Sequence, residues 1–318
     1  MKITDIPKVR VIDDAYYPSI YKTKKMKSTF EIGNSATIIK ATEMDLGEIR
    51  GRSIRYGIFK DVEPLTSHPV VIYVDYDNSI PIFTSASRTV FLTYWSSISI
   101  EEEYRLQNRI NDLEGEFGRL DFNSYKNKFA INELQCELPK DTFDLYYTDE
   151  IGNITTSSAF RTRNNVMLKI TPRFPVLGGW KTYWKQGYSL PKENYIIEND
   201  ANLGQYVAQF NISHPFDNIV AEEFTFKIAF PEGATDIKYS LPFEMDSVTE
   251  ETIYQYLDMK GGSKVLIFKK NNVMEKYHNC KNHSHIQTID ICDIQTYAFV
   301  FYAVCIVGLS TLFYKYAS

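Results

Sequence analysis

Three sets of residues in this chain have types and spacings suited to chemistry. Asp75-Tyr76-Asp77 places two carboxylates one residue apart. Such a pair can hold a divalent cation on the diphosphate of a sugar nucleotide, because carboxylate oxygens suit hard cations. Cys280, His283 and His285 form a C-x-x-H-x-H cluster. Zinc takes about four ligands in a tetrahedron, and no fourth is evident beside these three. The third set is Asn153-Ile154-Thr155, Asn211-Ile212-Ser213 and Asn282-His283-Ser284. Each reads N-x-[ST], the acceptor pattern for an N-linked glycan, which is added in the secretory lumen. On a strand, alternation puts Asp75 and Asp77 on one face, usually the wet one. We read them as a solvated strand end. No metal, cofactor or catalytic residue is assigned anywhere in the chain.

The elements that must carry these residues are mostly strands. Tyrosine (23) and phenylalanine (20) are plentiful in the 318 residues, and aromatic side chains suit a pleated surface. Val70–Tyr76, Val166–Thr171, Phe224–Phe230 and Lys264–Asn272 read as strands, and Tyr206–Ile212 alternates. Glu101–Glu116 is helical by propensity, with Tyr104, Leu106, Ile110 and Leu113 imperfectly spaced. Lys22, Lys24, Lys25 and Lys27 suit a solvated strand edge, with a lipid-headgroup contact as the other reading. The length allows two domains. The aromatic block Arg88–Ile100 opens the second, so residues 1–88 and 89–290 are the expected limits. The expected fold class is mainly β, with two sandwich-like domains.

Net charge is −5, with 24% charged residues. That gives no basic field, so nucleic acid is not an expected partner. Cys136, Cys280, Cys292 and Cys305 are too few for a disulfide scaffold. Cys280 and Cys292 could pair in an oxidising lumen, while Cys136 could equally be a free buried thiol.

Tyr146–Pro191 organises the rest. It contains Trp180 and Trp184, a strand ending at Arg173-Phe174-Pro175, and a reversal at Gly178-Gly179. Arg173-Phe174-Pro175 cannot continue a central ladder, since proline lacks the N–H donor. The aromatics are expected to fill a β core. The same blocks carry a resemblance. Asp149-Glu150-Ile151-Gly152-Asn153, Arg173-Phe174-Pro175, Gly178-Gly179-Trp180-Lys181-Thr182 and Gly187-Tyr188-x-Leu190-Pro191 are similar to the ribophorin I family. Tyr56–Val62, Pro231–Ala234 and Leu241–Glu244 resemble further blocks of that family, while residues 277–293 depart from it.

The resemblance implies a strand and then a loop over Glu101–Glu116, and we take its first half as strand. It also implies a non-catalytic subunit of the oligosaccharyltransferase of the endoplasmic reticulum. It would assist assembly and present nascent polypeptide to a multi-spanning catalytic subunit. It also implies that the first domain is incomplete, with a signal peptide and part of that domain absent; Met1–Asp14 itself has no apolar leader segment. Tyr297–Tyr314 carries no charge. At about 1.5 Å per residue it would span roughly 27 Å, the thickness of a thin bilayer. The expected span is 296–315, with 316–318 as a cytosolic tail and the body lumenal, a single-pass type I arrangement. Asp293 before the span and Lys315 after it agree with the positive-inside rule. Two alternatives compete: a single-span adhesion or cargo-receptor ectodomain, and a metal-dependent glycosyltransferase using Asp75 and Asp77.

Overall fold

The computed structural model describes residues 2, 5–44, 47–93, 96–125, 129–198, 205–254, 258, 261–274 and 289–292. Within them the chain is mainly strand, with little helix. It divides into two compact units that no single cut separates. Met1–Ile80, Asn108–Ile131 and Pro175–Trp180 form the smaller; Pro81–Gln107, Asn132–Phe174 and the described part of Lys181–Ser318 form the larger.

The smaller unit begins with β1 (Lys8–Asp14), β2 (Thr23–Glu31), β3 (Ala36–Ala41), β4 (Gly47–Arg50), β5 (Ser53–Val62) and β6 (Pro69–Tyr76). They form two antiparallel sheets in the orders β1-β6-β3 and β2-β5-β4. Period two sets the core: Val70, Ile72 and Val74 of β6 point inward, as do Ile54 and Tyr56 of β5, and all share one cluster. The Tyr56 hydroxyl donates to the Thr42 carbonyl at 2.9 Å, so the buried ring keeps its polar end satisfied. β2 is an edge strand, and its lysines face solvent. That is the solvated edge read from the sequence, where charge discourages pairing with another chain. Asp75 is half-buried on central β6, and the Asp77 N–H donates to the Ser35 carbonyl at 3.1 Å.

The larger unit contains β7 (Pro81–Phe91), β8 (Ser97–Asn108, its last residue in the smaller unit), β9 (Leu134–Pro139), β10 (Phe143–Thr148), β11 (Ser158–Arg161), β12 (Asn165–Ile170) and β13 (Lys181–Pro191). It continues with β14 (Ile196–Glu198), β15 (Gln205–Ala208), β16 (Val220–Ala229), β17 (Thr235–Tyr239), β18 (Ser247–Ile253), β19 (Ser263–Val273) and β20 (Ile289–Cys292). The main sheet runs β10-β13-β8-β7-β16-β19-β18, with β16 parallel to β7. Smaller sheets run β11-β12-β9 and β14-β15-β20-β17. Cys136 of β9 lies against the Gln186 side chain of β13, so the three-stranded sheet touches the main one.

β8 shows why the strand reading of Glu101 onward wins. Ile98, Ile100, Glu102, Tyr104 and Leu106 are all buried, while the residues between them are not. Alternation inside a central strand overrides the helix propensity of EEEYRLQN. Beyond Asn108 the chain forms neither helix nor strand until the short helix α1 (Arg119–Tyr125), which the sequence reading did not anticipate. The alternating stretch from Tyr206 also pairs only as far as Ala208, although Phe210 and Ile212 remain buried.

A buried polar network ties the main sheet together. Arg88 is 4% exposed and Glu102 is 0%. The Arg88 Nη2 donates to the Tyr188 hydroxyl at 3.0 Å, and its Nε lies 3.5 Å from Glu102 Oε1. Glu102 Oε2 accepts from the Tyr104 hydroxyl at 3.0 Å and from Gln186 Nε2 at 2.7 Å. Gln186 Oε1 accepts from the Trp184 indole at 3.1 Å. Burial pushes Tyr104, Tyr188 and the Cys136 thiol upward, so all three stay neutral. Burial works against charge on Arg88, but the neighbouring Tyr188 and Glu102 outweigh it and hold the guanidinium ionised. A lone ion here would cost several kcal/mol; paired and hydrogen-bonded, the group is tolerated and fixes the strands in register.

The predicted span, residues 296–315, lies outside the described residues. Among the described residues no helix is long and apolar enough to cross a membrane.

Candidate functional site

In the larger unit, residues 146–174 and 181–191 carry the candidate site. At its first end, β10 turns back after Thr148 and bridges to Asn153. Asp149 builds that turn: its Oδ1 accepts from the N–H groups of Ile151 and Gly152, both at 2.9 Å. An aspartate that bonds its own backbone two residues on is the usual means of setting such a loop. Arg173 grips the same carboxylate, with Nε to Oδ2 at 2.7 Å and Nη2 to Oδ1 at 2.9 Å. That fork joins the first motif block to the second across more than twenty residues, with bidentate geometry. The Arg173 guanidinium, together with the two N–H groups, holds the Asp149 carboxyl down at about 2. Phe174 is exposed beside it.

Within the larger unit a shallow hollow of about 320 Å³ opens next to this fork. Ile151, Ile154, Arg105, Tyr183 and Lys181 are among the residues that line it. The Arg105 guanidinium sits 5.5 Å from the centre of the Tyr183 ring, a cation–π contact on the surface. Ile151 is 80% exposed. The hollow offers apolar side chains with charged rims and no convergent set of acid, base and nucleophile. Among the described residues no group of three histidine, cysteine, aspartate or glutamate side chains could hold a metal ion. The Cys280, His283 and His285 cluster, and the third sequon asparagine, Asn282, lie outside the described residues. So do Cys280 and Cys305, while Cys136 is a free, buried thiol.

Pro175, Gly178, Gly179 and Trp180 belong to the smaller unit. There, Val176 and Ile131 exchange backbone hydrogen bonds at 3.0 Å each. The Gly178 carbonyl accepts from Leu113 at 3.1 Å, and the Gly179 N–H donates to the Asn108 carbonyl at 2.9 Å. Gly178 packs so closely on the Asn111 carbonyl that no Cβ fits, and Gly179 has φ +79°, a left-handed conformation that favours glycine. Trp180 is half-buried against Phe117, with ring centres 5.7 Å apart, in a small cluster around Phe129 and Leu177. Trp184 is the fully buried tryptophan, at 1%. The two rings therefore differ from the single aromatic core expected: the strand period sends Trp184 inward, whereas Trp180 belongs to the glycine reversal.

Asn108 was not found by reading the sequence. Its side chain is fully buried, donating to the Phe129 and Val176 carbonyls at 2.7 and 3.0 Å and accepting from Ile80 and Ile110 N–H groups at 3.1 and 3.3 Å. It staples four backbone segments of the smaller unit, and its amide capacity is filled. The one signal was its place at the next inward position after Leu106 in an alternating run.

The fold and site define a mainly β, two-unit protein whose motif residues act as internal ties. A family model described as Ribophorin I matches residues 1–314, and the chain belongs to the ribophorin I family. Dolichyl-diphosphooligosaccharide–protein glycosyltransferase subunit 1 of Caenorhabditis elegans is 31% identical over 264 residues, covering 82% of this chain and 44% of its own length. Subunit 1A of Arabidopsis thaliana is 30% identical over 291 residues, covering 90% and 46%. Subunit 1B of Oryza sativa subsp. japonica is 30% identical over 241 residues, covering 75% and 50%. The chain spans about half the length of the curated relatives it matches. A solved two-domain M1 zinc metallopeptidase aligns with a TM-score of 0.34 at 11% identity, over 67% of this chain and 42% of its own.

Proposed function

We propose that this chain is a non-catalytic subunit of the oligosaccharyltransferase that attaches glycans to nascent proteins in the endoplasmic reticulum. Membership of the ribophorin I family supports it, as do relatives named as subunit 1 of that glycosyltransferase. The observation that carries the non-catalytic part is the use of the family's motif residues. Asp149 and Arg173 hold each other, Gly178 and Gly179 hold a reversal, and Trp180 packs a small core. These are roles of a scaffold. Residues 1–88 and 89–290 would stand in the lumen, 296–315 would cross the membrane once, and 316–318 would be cytosolic. Its partners would be other subunits, including a multi-spanning catalytic one, and the nascent polypeptide.

Solubilisation in digitonin followed by affinity purification of the full chain tests this. The expected outcome is recovery of a multi-spanning glycosyltransferase in the same particle. Recovery of the chain alone, or with cell-surface proteins bearing complex glycans, overturns it.

A further inference from the structure

We propose that the two sequons within the described residues differ in when they can be glycosylated: Asn153 accepts a glycan on the folded chain, and Asn211 only before the larger unit folds. The inference rests on the lumenal placement proposed above, and concerns the chain as a substrate rather than as a subunit. Transfer forms a bond between the asparagine Nδ2 and the anomeric carbon of the glycan. It breaks that carbon's bond to the diphosphate of a lipid-linked donor, releases the lipid diphosphate and passes an amide proton to base. The pattern N-x-[ST] requires that one cleft hold the amide and, two residues on, the hydroxyl.

At the first sequon both groups are presented. Asn153 and Thr155 are exposed, following directly on the turn that Asp149 sets. They lie beside β10, an edge strand of the main sheet, where an enzyme can approach. At the second, Asn211 is exposed but Ser213 is 1% exposed. The Ser213 N–H and hydroxyl both donate to Asn211 Oδ1 at 3.3 Å, and its carbonyl accepts from Arg88 Nη1 at 2.8 Å. The flanking residues are also committed. Ile212 is 2% exposed, and His214 at 1% lies against the rings of Phe83 and Phe224 at 5.3 and 6.2 Å. Bringing the Ser213 hydroxyl into another protein's cleft requires drawing this segment out of the core and breaking the Arg88 contact. Such openings are rare events at buried, well-bonded sites.

The test uses the full chain with Asn282→Gln throughout, so that Asn153→Gln and Asn211→Gln each leave one described sequon. In one arm each chain is translated behind a cleavable signal sequence into microsomes. In the other, each is made without glycan, folded, and then given detergent-solubilised oligosaccharyltransferase with a lipid-diphosphate oligosaccharide. Glycan gain is read by mass. Both sequons should be modified during synthesis. On the folded chain Asn153 should be modified and Asn211 more than about tenfold more slowly, the penalty of local opening. Comparable rates on the folded chain overturn the proposal, as does a refractory Asn153. Absence of glycan in both arms overturns it too, and leaves the subunit reading to the separate co-purification.

Discussion

Single residues decide whether the motif surface holds its shape. Gly178 is the most exacting, because a methyl group there would collide with the backbone oxygen of Asn111, which cannot swing aside. Gly178→Ala should destabilise the chain by about 1–3 kcal/mol through overpacking, measured by denaturant unfolding. A variant that unfolds at the wild-type midpoint would show that the reversal tolerates a shift. The Asp149–Arg173 fork makes a different prediction. Asp149 titrates at about 2 in the folded chain, below its ordinary 3.8. A depressed carboxyl stabilises the fold fully above its unfolded pKa, and loses that contribution as pH falls through the folded one. The melting-temperature gap between wild type and Arg173→Ala should therefore be constant above about pH 4 and close as pH falls toward about 2. A gap unchanged across that window would mean the fork is not what Arg173 contributes. Both positions were visible in the sequence as motif residues. Their partners were not: Asn108, Asn111 and Asp112 meet the glycines only because the chain returns to them after some seventy residues.

At the scale of elements, β8 and β13 carry the larger unit. Tyr104 faces Trp184 and Glu102 faces Gln186 across the ladder. Trp184→Ala should cost about 3–5 kcal/mol, the range for emptying a large core site. Trp180→Ala should cost less, about 1–2 kcal/mol, since a half-buried ring loses about half the apolar contact. Equal losses would contradict the separation of the two rings. Arg88→Met should cost about 3–5 kcal/mol by leaving Glu102 buried without its cation, and Arg88→Met with Glu102→Gln should recover a good part of that. Additive losses in a double-mutant cycle would show the two side chains to be uncoupled. The strands themselves were legible, because apolar and aromatic alternation marks them directly. The network was not. Nothing local marks Arg88 and Glu102 as core residues; only the inward phase of their strands, fixed by long-range pairing, puts them there. Nor could local pattern show that β16 lies parallel to β7, since that pairing joins segments more than a hundred residues apart. The short helix α1 was missed for the opposite reason: seven residues, about two turns, are too brief a helical signal to read from local pattern.

For the whole molecule, the sidedness of the body decides whether these units can serve as proposed. The glycan acceptors, the edge strand β10 and the hollow beside the Asp149–Arg173 fork are useful to a lumenal glycosyltransferase only if they share its compartment. Charge gives one indication, with Asp293 before the apolar segment and Lys315 after it. Protease protection measures the arrangement directly. Sealed microsomes containing the full chain, tagged at the C-terminus, should shield the two β units from added protease while the tag is clipped. Detergent should then expose the units. Glycans on the protected body should remain sensitive to endoglycosidase H, as for a protein retained in the endoplasmic reticulum. A body digested in sealed vesicles would place it on the cytosolic side, where no sequon can be modified, and both the subunit reading and the ordering of Asn153 and Asn211 would fall together.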